Sequence, residues 1–259
     1  MEKDLRFKIA ELAYDWGGGH IPSAFSIIDI VSALYQEFLK YDSKNPNWED
    51  RDYFILSKGH GCMALYTVLA KYGFIDESVL KSKSLETRIL GGHADCNKIN
   101  GVEASTGSLG HGNGIAAGIA LGLKIQEKKN KVIALVGDGE CNEGTMWETA
   151  LIASNLRLGN LCVIVDNNKS AENVLPVPNI KQKWEAFGWE AYEIDGHNTS
   201  EILRTLGKIS WNYDSKPKVI VGNTIKGKGV SFMEGNGAWH HRAPTKEELE
   251  QIRRELYHE

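Results

Sequence analysis

The chain has 259 residues, 42% of them apolar, and a formal net charge of −4, enough to bury one sizeable α/β core. Its charges lie without basic runs, so nucleic-acid binding has no electrostatic footprint, and no apolar stretch nears the roughly twenty residues that span a bilayer. The N-terminal MEKDLRFK lacks the apolar run of a signal peptide, and Cys62, Cys96, Cys141 and Cys162 form no CxxC pair, which together predict a cytoplasmic protein without a disulfide framework.

Leu5, Ile9, Leu12 and Trp16 recur at helical spacing and predict an amphipathic helix from about 3 to 16, stopped by Gly17–Gly19. After HIPSAFS, Ser26 and Asp29 read as a capping box opening a helix through about Lys40. DYFILS, at 52–57, reads as the first buried strand, followed by a helix from about Cys62 to Tyr72. A polar, glycine-rich stretch from about Thr87 to Gly110 is long enough to be functional or disordered. It leads into the Ala/Gly helix GNGIAAGIALGLK, whose small residues permit close approach of a second backbone or protein chain.

Strands and helices then alternate: VIALV, a helix near 145–155, LCVIV, a helix near 181–187, AYEI, a helix near 200–209, and KVIVG. This order predicts an α/β fold, a mostly parallel twisted sheet with helices on both faces, as one domain over 1–259. The charged closing helix TKEELEQIRREL reads as a solvated face or an assembly contact.

Two strand ends carry the chemistry. KVIALVGDGECNEGTMWE (131–148) and LCVIVDNNKS (161–170) each run from a β-branched strand into a polar turn. Parallel strands would bring Asp138 and Asn168 to one sheet edge, where open α/β sheets bind ligands. A hard divalent cation holding a diphosphate needs a carboxylate, an amide oxygen and a carbonyl, with phosphate oxygens completing its shell. Asp138, Asn168 and the carbonyl of Ser170 fit that need, while Gly137 and Gly139 allow backbone to approach a phosphate. A lone GDG also reads as a strand ending in a tight turn; the second half at this spacing favours the metal site.

GDG followed by NN resembles the thiamine diphosphate motif, and further pieces resemble the cofactor-binding half of transketolase, in that family's order. GGGHIPS resembles the loop with a substrate-facing histidine, His20, and with Ser23 near the diphosphate. SKGHG resembles the segment whose histidine, His60, contacts the diphosphate. GGHADCNKINGVEASTGSLGHG resembles the long active-site loop, with His93 and the backbone of Gly107 to Leu109. GECNEG places Glu143 where the family has an acid behind the cofactor. TIKGKG and AWHHRAP resemble the segment supplying Lys226 and His240, although a slip of one residue would exchange His240 with His241.

The resemblance implies a thiamine diphosphate-dependent enzyme with Mg2+ (Ca2+ or Mn2+ substituting), in which the cofactor is the electron sink and the protein orients and transfers protons. His20 and His240 are then expected to flank the C3 hydroxyl of a ketose, and His93 the C1 hydroxyl; imidazole is the natural base near neutral pH. Ile21 departs from the family's histidine–proline pair and is expected to put bulk into the substrate channel; His111 stands where glutamine is common. Only about nineteen residues follow His240, which implies that a pyrimidine-binding half lies on a separate C-terminal transketolase subunit, in an α2β2 assembly. Sugar phosphates or analogues are the implied substrates. The alternatives are the matching half of a 2-oxo acid dehydrogenase or deoxyxylulose phosphate synthase, or a non-catalytic thiamine diphosphate-binding protein.

Overall fold

The structure, a computed structural model, describes residues 2–81, 89–172 and 174–258. Five parallel strands form one sheet in the order β1-β2-β3-β5-β4. They are β1 (Tyr53–Leu56), β2 (Val132–Gly137), β3 (Leu161–Asn167), β4 (Glu190–Asp195) and β5 (Lys218–Asn223). Alternate residues of each central strand feed opposite layers, as the two-residue repeat of a strand requires. Ile133, Leu135, Cys162 and Ile164 join one core; Ala134, Val136, Val163 and Val165 join the other.

The first layer holds α1 (Glu2–Trp16), α2 (Ile21–Ala33), α3 (Cys62–Lys71), α8 (Thr199–Lys208) and α9 (Lys246–Tyr257). The second holds α5 (His111–Ile125), α6 (Gly144–Asn155) and α7 (Ile180–Ala186). A short α4 (Glu77–Leu80), begun by an Asp76 cap on the Ser78 amide, was not expected from the pattern. The first residues of the long irregular stretch, 87–88, lie outside the described residues; from 89 to 110 it is irregular. The closing helix α9 is not only a solvated face, because Ile252 and Leu256 are buried beside α1.

The capping box at Ser26 and Asp29 is wrong. Helix α2 begins five residues earlier, at Ile21, with Pro22 in its first turn, where the missing N–H costs nothing. Every residue of α2 is buried, and Ser26 and Asp29 reach partners in other elements instead of capping their own helix. Ser26 Oγ lies 2.8 Å from the Asp166 carboxylate and 3.0 Å from Ser23 O, with one proton to donate between them, and Asp29 is engaged by Arg6 and His197. Ile21 is likewise fully buried, in the core and not in a channel. Burying isoleucines such as Ile27, Ile28 and Ile30 contributes about 1.5–3 kcal/mol each, which makes α2 the rigid centre of this layer.

Candidate active site at the carboxyl edge of the sheet

Register decides what meets at the carboxyl edge. Gly137 pairs with Asp166, and Asp166 with Gly222, so β2, β3 and β5 end level. Glu140, in the turn after β2, is buried and ties three segments together. Its Oε2 accepts the Gly137 N–H at 2.8 Å; its Oε1 accepts Ser57 Oγ–H at 2.6 Å and the Gly110 N–H at 2.9 Å. That fixes the GDG turn and the entry to α5 with respect to β1.

Asp138 is buried at this edge, accepting the Gly139 N–H at 2.8 Å, the Ala171 N–H at 3.3 Å and Ser170 Oγ–H at 3.3 Å. Burial raises its pKa, and the nearby charge of Asp166 adds to the rise. Among the described residues no side-chain cation is paired with it. A buried carboxylate left in this state fits a metal ion.

The Asn168 amide is oriented by its neighbours. Only Nδ2 can donate to the Asp166 carboxylate, 2.8 Å away, so Oδ1 turns to the Ser170 side, where it accepts the Ser170 N–H at 3.0 Å. Asp138, Asn168 and Ser170 are therefore tied to one another across the turns after β2 and β3, through the Ser170 N–H and hydroxyl. Three or more His, Cys, Asp or Glu side chains gathered as a metal cage do not occur among the described residues.

Asp166 and Lys58 were not singled out from the sequence. Both are buried to within 1% of full exclusion and form an ion pair, with Lys58 Nζ also 3.3 Å from Ser23 O and Asp166 further held by Thr224 Oγ1. Their signal was a charged residue at each of two strand ends, in SKGHG and VDNN; the pairing itself is tertiary. Ser23 is buried, and among the described residues its hydroxyl has no partner.

A cavity of about 370 Å³ lies over these groups, lined among others by Lys58, His60, Leu109, Asp138, Gly139, Asn168, Ser170, Lys226 and His240. Lys226 Nζ is 3.3 Å from His240 Nδ1, and burial together with Lys58 lowers its pKa. The exposed Val174 and Leu175 form an apolar part of the rim.

The imidazoles of His20, His60, His93, His240 and His241 gather beside that cavity. From the His20 ring, centroids lie at 4.6 Å for His241, 5.1 Å for His240, 5.4 Å for His60 and 6.4 Å for His93. His20 stands at the N-cap of α2. Burial first, then His241, His240, His93 and Lys226, lowers its pKa to about 4. Burial, with Lys58 next, lowers His60 to about 2; His240 is lowered too, by burial and then Lys226. Burial therefore favours the neutral form of all three rings. His240 lines this cavity with Lys226, and His241 lines a smaller one with His20.

Two expected residues lie apart. Gly107 packs on His93, where a Cβ would come within 3.1 Å of the ring, so it shapes the loop and does not line the large cavity. Glu143 is exposed at the N-cap of α6, outside that cavity. His111 is exposed, its Nδ1 3.2 Å from Ser108 Oγ.

A second network braces the Lys226 segment. His197 Nε2 accepts the Ile225 N–H at 2.8 Å, which leaves the ring proton on Nδ1, 2.6 Å from Asp29 Oδ2. Arg6 grips the same carboxylate through both Nη atoms, at 3.1 and 2.5 Å. Burial alone would raise Asp29, but the His197 hydrogen bond and Arg6 bring its pKa below the usual carboxylate range.

Level strand ends that present an acid, an oriented amide and neutral imidazoles to one cavity define an α/β domain holding an anionic cofactor outside its sheet. Residues 3–259 match the family described as "Transketolase, thiamine diphosphate binding domain", and the chain belongs to that family. It is 39% identical over 236 residues to the 6-deoxy-6-sulfo-D-fructose transketolase subunit SqwG of Clostridium sp. (strain MSTE9), covering 89% of this chain and 86% of that one. It is 40% identical over 260 residues to an apulose-4-phosphate transketolase subunit of Actinobacillus succinogenes, covering 98% and 94%. The crystal structure of transketolase from Campylobacter jejuni subsp. jejuni NCTC 11168 superposes with a TM-score of 0.89 at 29% identity, over 99% of this chain and 42% of that one. The chain thus matches relatives named as transketolase subunits along most of their length, and less than half of the Campylobacter transketolase chain. Among the described residues no helix is long and apolar enough to cross a membrane.

Proposed function

We propose that this protein is the diphosphate-binding subunit of a two-chain transketolase, a glycolaldehyde transferase that moves a two-carbon ketol unit from a ketose to an aldose. One observation carries the reading: Asp138, the Oδ1 of Asn168 and Ser170 converge beside Lys226 and neutral imidazoles at a single sheet edge. Asp138, Asn168 and the Ser170 carbonyl would hold Mg2+, with Ca2+ or Mn2+ as substitutes. His60, Lys226, His240 and the backbone of Gly139 and Leu109 would face the diphosphate. Ser23 would offer its unpartnered hydroxyl near the same group, and Gly107 would set the His93 loop. Bound thiamine diphosphate supplies the electron sink for carbon–carbon cleavage next to the ketose carbonyl.

The chain's own residues do the rest. His20 and His240, neutral at pH 7, take and return the proton of the C3 hydroxyl. His93 orients the C1 hydroxyl. Glu143, exposed on this chain, would be the acid behind the cofactor once a partner covers it.

The partner is a C-terminal transketolase subunit with the pyrimidine-binding domain, in an α2β2 assembly in the cytoplasm; this chain is one domain. The naming of its relatives as subunits supports this. So does the exposed apolar surface of α5 and α6, with Ile115, Ile125, Leu151, Ile152 and Leu156 beside the open positions of Gly118 and Gly122. The substrates are sugar phosphates or sulfonated or branched analogues. The test is product analysis on the mixed subunits with magnesium, thiamine diphosphate and a donor panel: two-carbon-extended aldoses are expected, whereas decarboxylated 2-oxo acids as the only products would overturn the reading.

A further inference from the structure

Just past the end of β5, the Thr224 N–H still reaches Asn167 O, at the end of β3, at 3.3 Å. Beyond it the backbone on either side of Lys226 is held from outside the sheet. The Ile225 N–H donates to His197 Nε2 at 2.8 Å, and the Gly227 N–H donates to Pro22 O, in the first turn of α2, at 3.0 Å. Gly227 has φ +83°, and a Cβ there would come within 2.8 Å of the Met233 carbonyl, so the chain turns away sharply once Lys226 has passed.

His197 is set for this contact by its own neighbours. Asp195 Oδ1 accepts the His197 N–H at 2.8 Å, and the Gly196 N–H donates to Asn223 O, at the end of β5, at 2.9 Å. A Cβ on Gly196 would meet Thr224 Cγ2 at 2.4 Å, so the glycine lets this loop lie against the segment that leads to Lys226. The ring's other nitrogen, Nδ1, is 2.6 Å from Asp29 Oδ2, and that carboxylate is paired with Arg6. A carboxylate can only accept, so it keeps the ring proton on Nδ1 and leaves the Nε2 lone pair to the Ile225 amide.

His197 does not line the large cavity. What depends on it is a cation that does: Lys226, half-buried, with Nζ 3.3 Å from His240 Nδ1. Taking an ammonium partly out of water is costly, and a loose segment would return it to solvent. The charge serves an anion in the cavity only if its backbone is held in place before the anion arrives.

We propose that His197 is a positioning residue for Lys226: through the Ile225 amide it fixes the ammonium at the anion-binding edge of the sheet, without touching the cofactor itself. The inference rests on the proposed contact between Lys226 and the diphosphate. One helix then holds the lysine segment twice, directly through Pro22 O and at one remove through Asp29 and His197. Both anchors lie on α2, whose N-cap is His20, so the lysine and that imidazole share one rigid support.

The experiment is a double-mutant cycle on magnesium-dependent thiamine diphosphate binding by the assembled two-chain enzyme, read by calorimetry. His197→Ala should weaken binding about tenfold, the size of one contact to a charged group. His197→Gln, whose side-chain oxygen can accept the Ile225 N–H, should recover most of that loss. In a Lys226→Met background the same His197→Ala should change affinity by less than about twofold, whereas damage to the fold would appear in both backgrounds. Losses of similar size in the two backgrounds would make His197 a support of the fold alone and overturn the proposal, and so would wild-type affinity in His197→Ala. Undiminished binding in Lys226→Met would remove Lys226 from the diphosphate, and the positioning role with it, while leaving the transketolase reading intact. A wild-type assembly that binds no thiamine diphosphate would overturn both.

Discussion

The neutral state of His20 has consequences at the residue scale. Its folded pKa, about 4, lies below its ordinary 6.5. The unfolded chain therefore binds a proton that the folded chain does not, and stability declines as pH falls from 6.5 towards 4, then levels. His60 and His240 shift in the same direction. Melting temperatures of the wild type and His20→Gln over this window should show a shallower acid loss in the variant; equal slopes would contradict the burial of His20 as the cause. In the assembled enzyme His20→Ala should lower kcat by roughly 10²–10⁴-fold, the range for losing general acid–base assistance. Thiamine diphosphate affinity should fall less than in His240→Ala, because only His240 lines the large cavity. Asp138→Ala should abolish magnesium-dependent cofactor binding by calorimetry, since the diphosphate would then enter a partly buried site uncompensated. Unchanged affinity would remove Asp138 from the metal site.

Among elements, the bracing network joins α1, α2 and the segments after β4 and β5 through Arg6, Asp29, His197 and the Ile225 amide. Asp29→Ala leaves the Arg6 guanidinium buried without its counter-charge, which costs about 3–5 kcal/mol. Denaturant unfolding measures this, and a loss under about 1 kcal/mol would show that the network is dispensable. Because the folded pKa of Asp29 is lowered, its contribution is full above the ordinary carboxylate range and is lost as pH falls through the folded value. The same elements show what the sequence could reveal. The strands were legible because β-branched runs end in polar turns, and Asp138, Asn168 and Ser170 were legible because each sits where such a run stops. The start of α2 was misread because Ser26 and Asp29 carry the chemistry of a cap while serving partners 140 and 168 residues away. Lys58, Asp166 and Glu140 stayed hidden for the same reason: their partners lie on other segments, and no local spacing records them. His240 and His241 were interchangeable in sequence, and only packing sent one to each cavity.

At the scale of the whole molecule, the apolar residues exposed on α5 and α6 sit on the face away from the α2 core. A charge placed there should disturb assembly and little else. Ile152→Glu, at a position 55% exposed, should weaken association with the pyrimidine-binding chain by about tenfold or more in sedimentation, with the melting temperature of the isolated protein nearly unchanged. Wild-type affinity would move the interface elsewhere. The central claim is that this chain holds half of an active site and that a second chain completes it. The most direct measurement is ketol transfer during titration of the purified chain, with magnesium and thiamine diphosphate, by the pyrimidine-binding subunit. No turnover by the chain alone, rising to a plateau at one partner per chain, is the result this account predicts. Full turnover by the isolated chain, or none at any ratio, would contradict it.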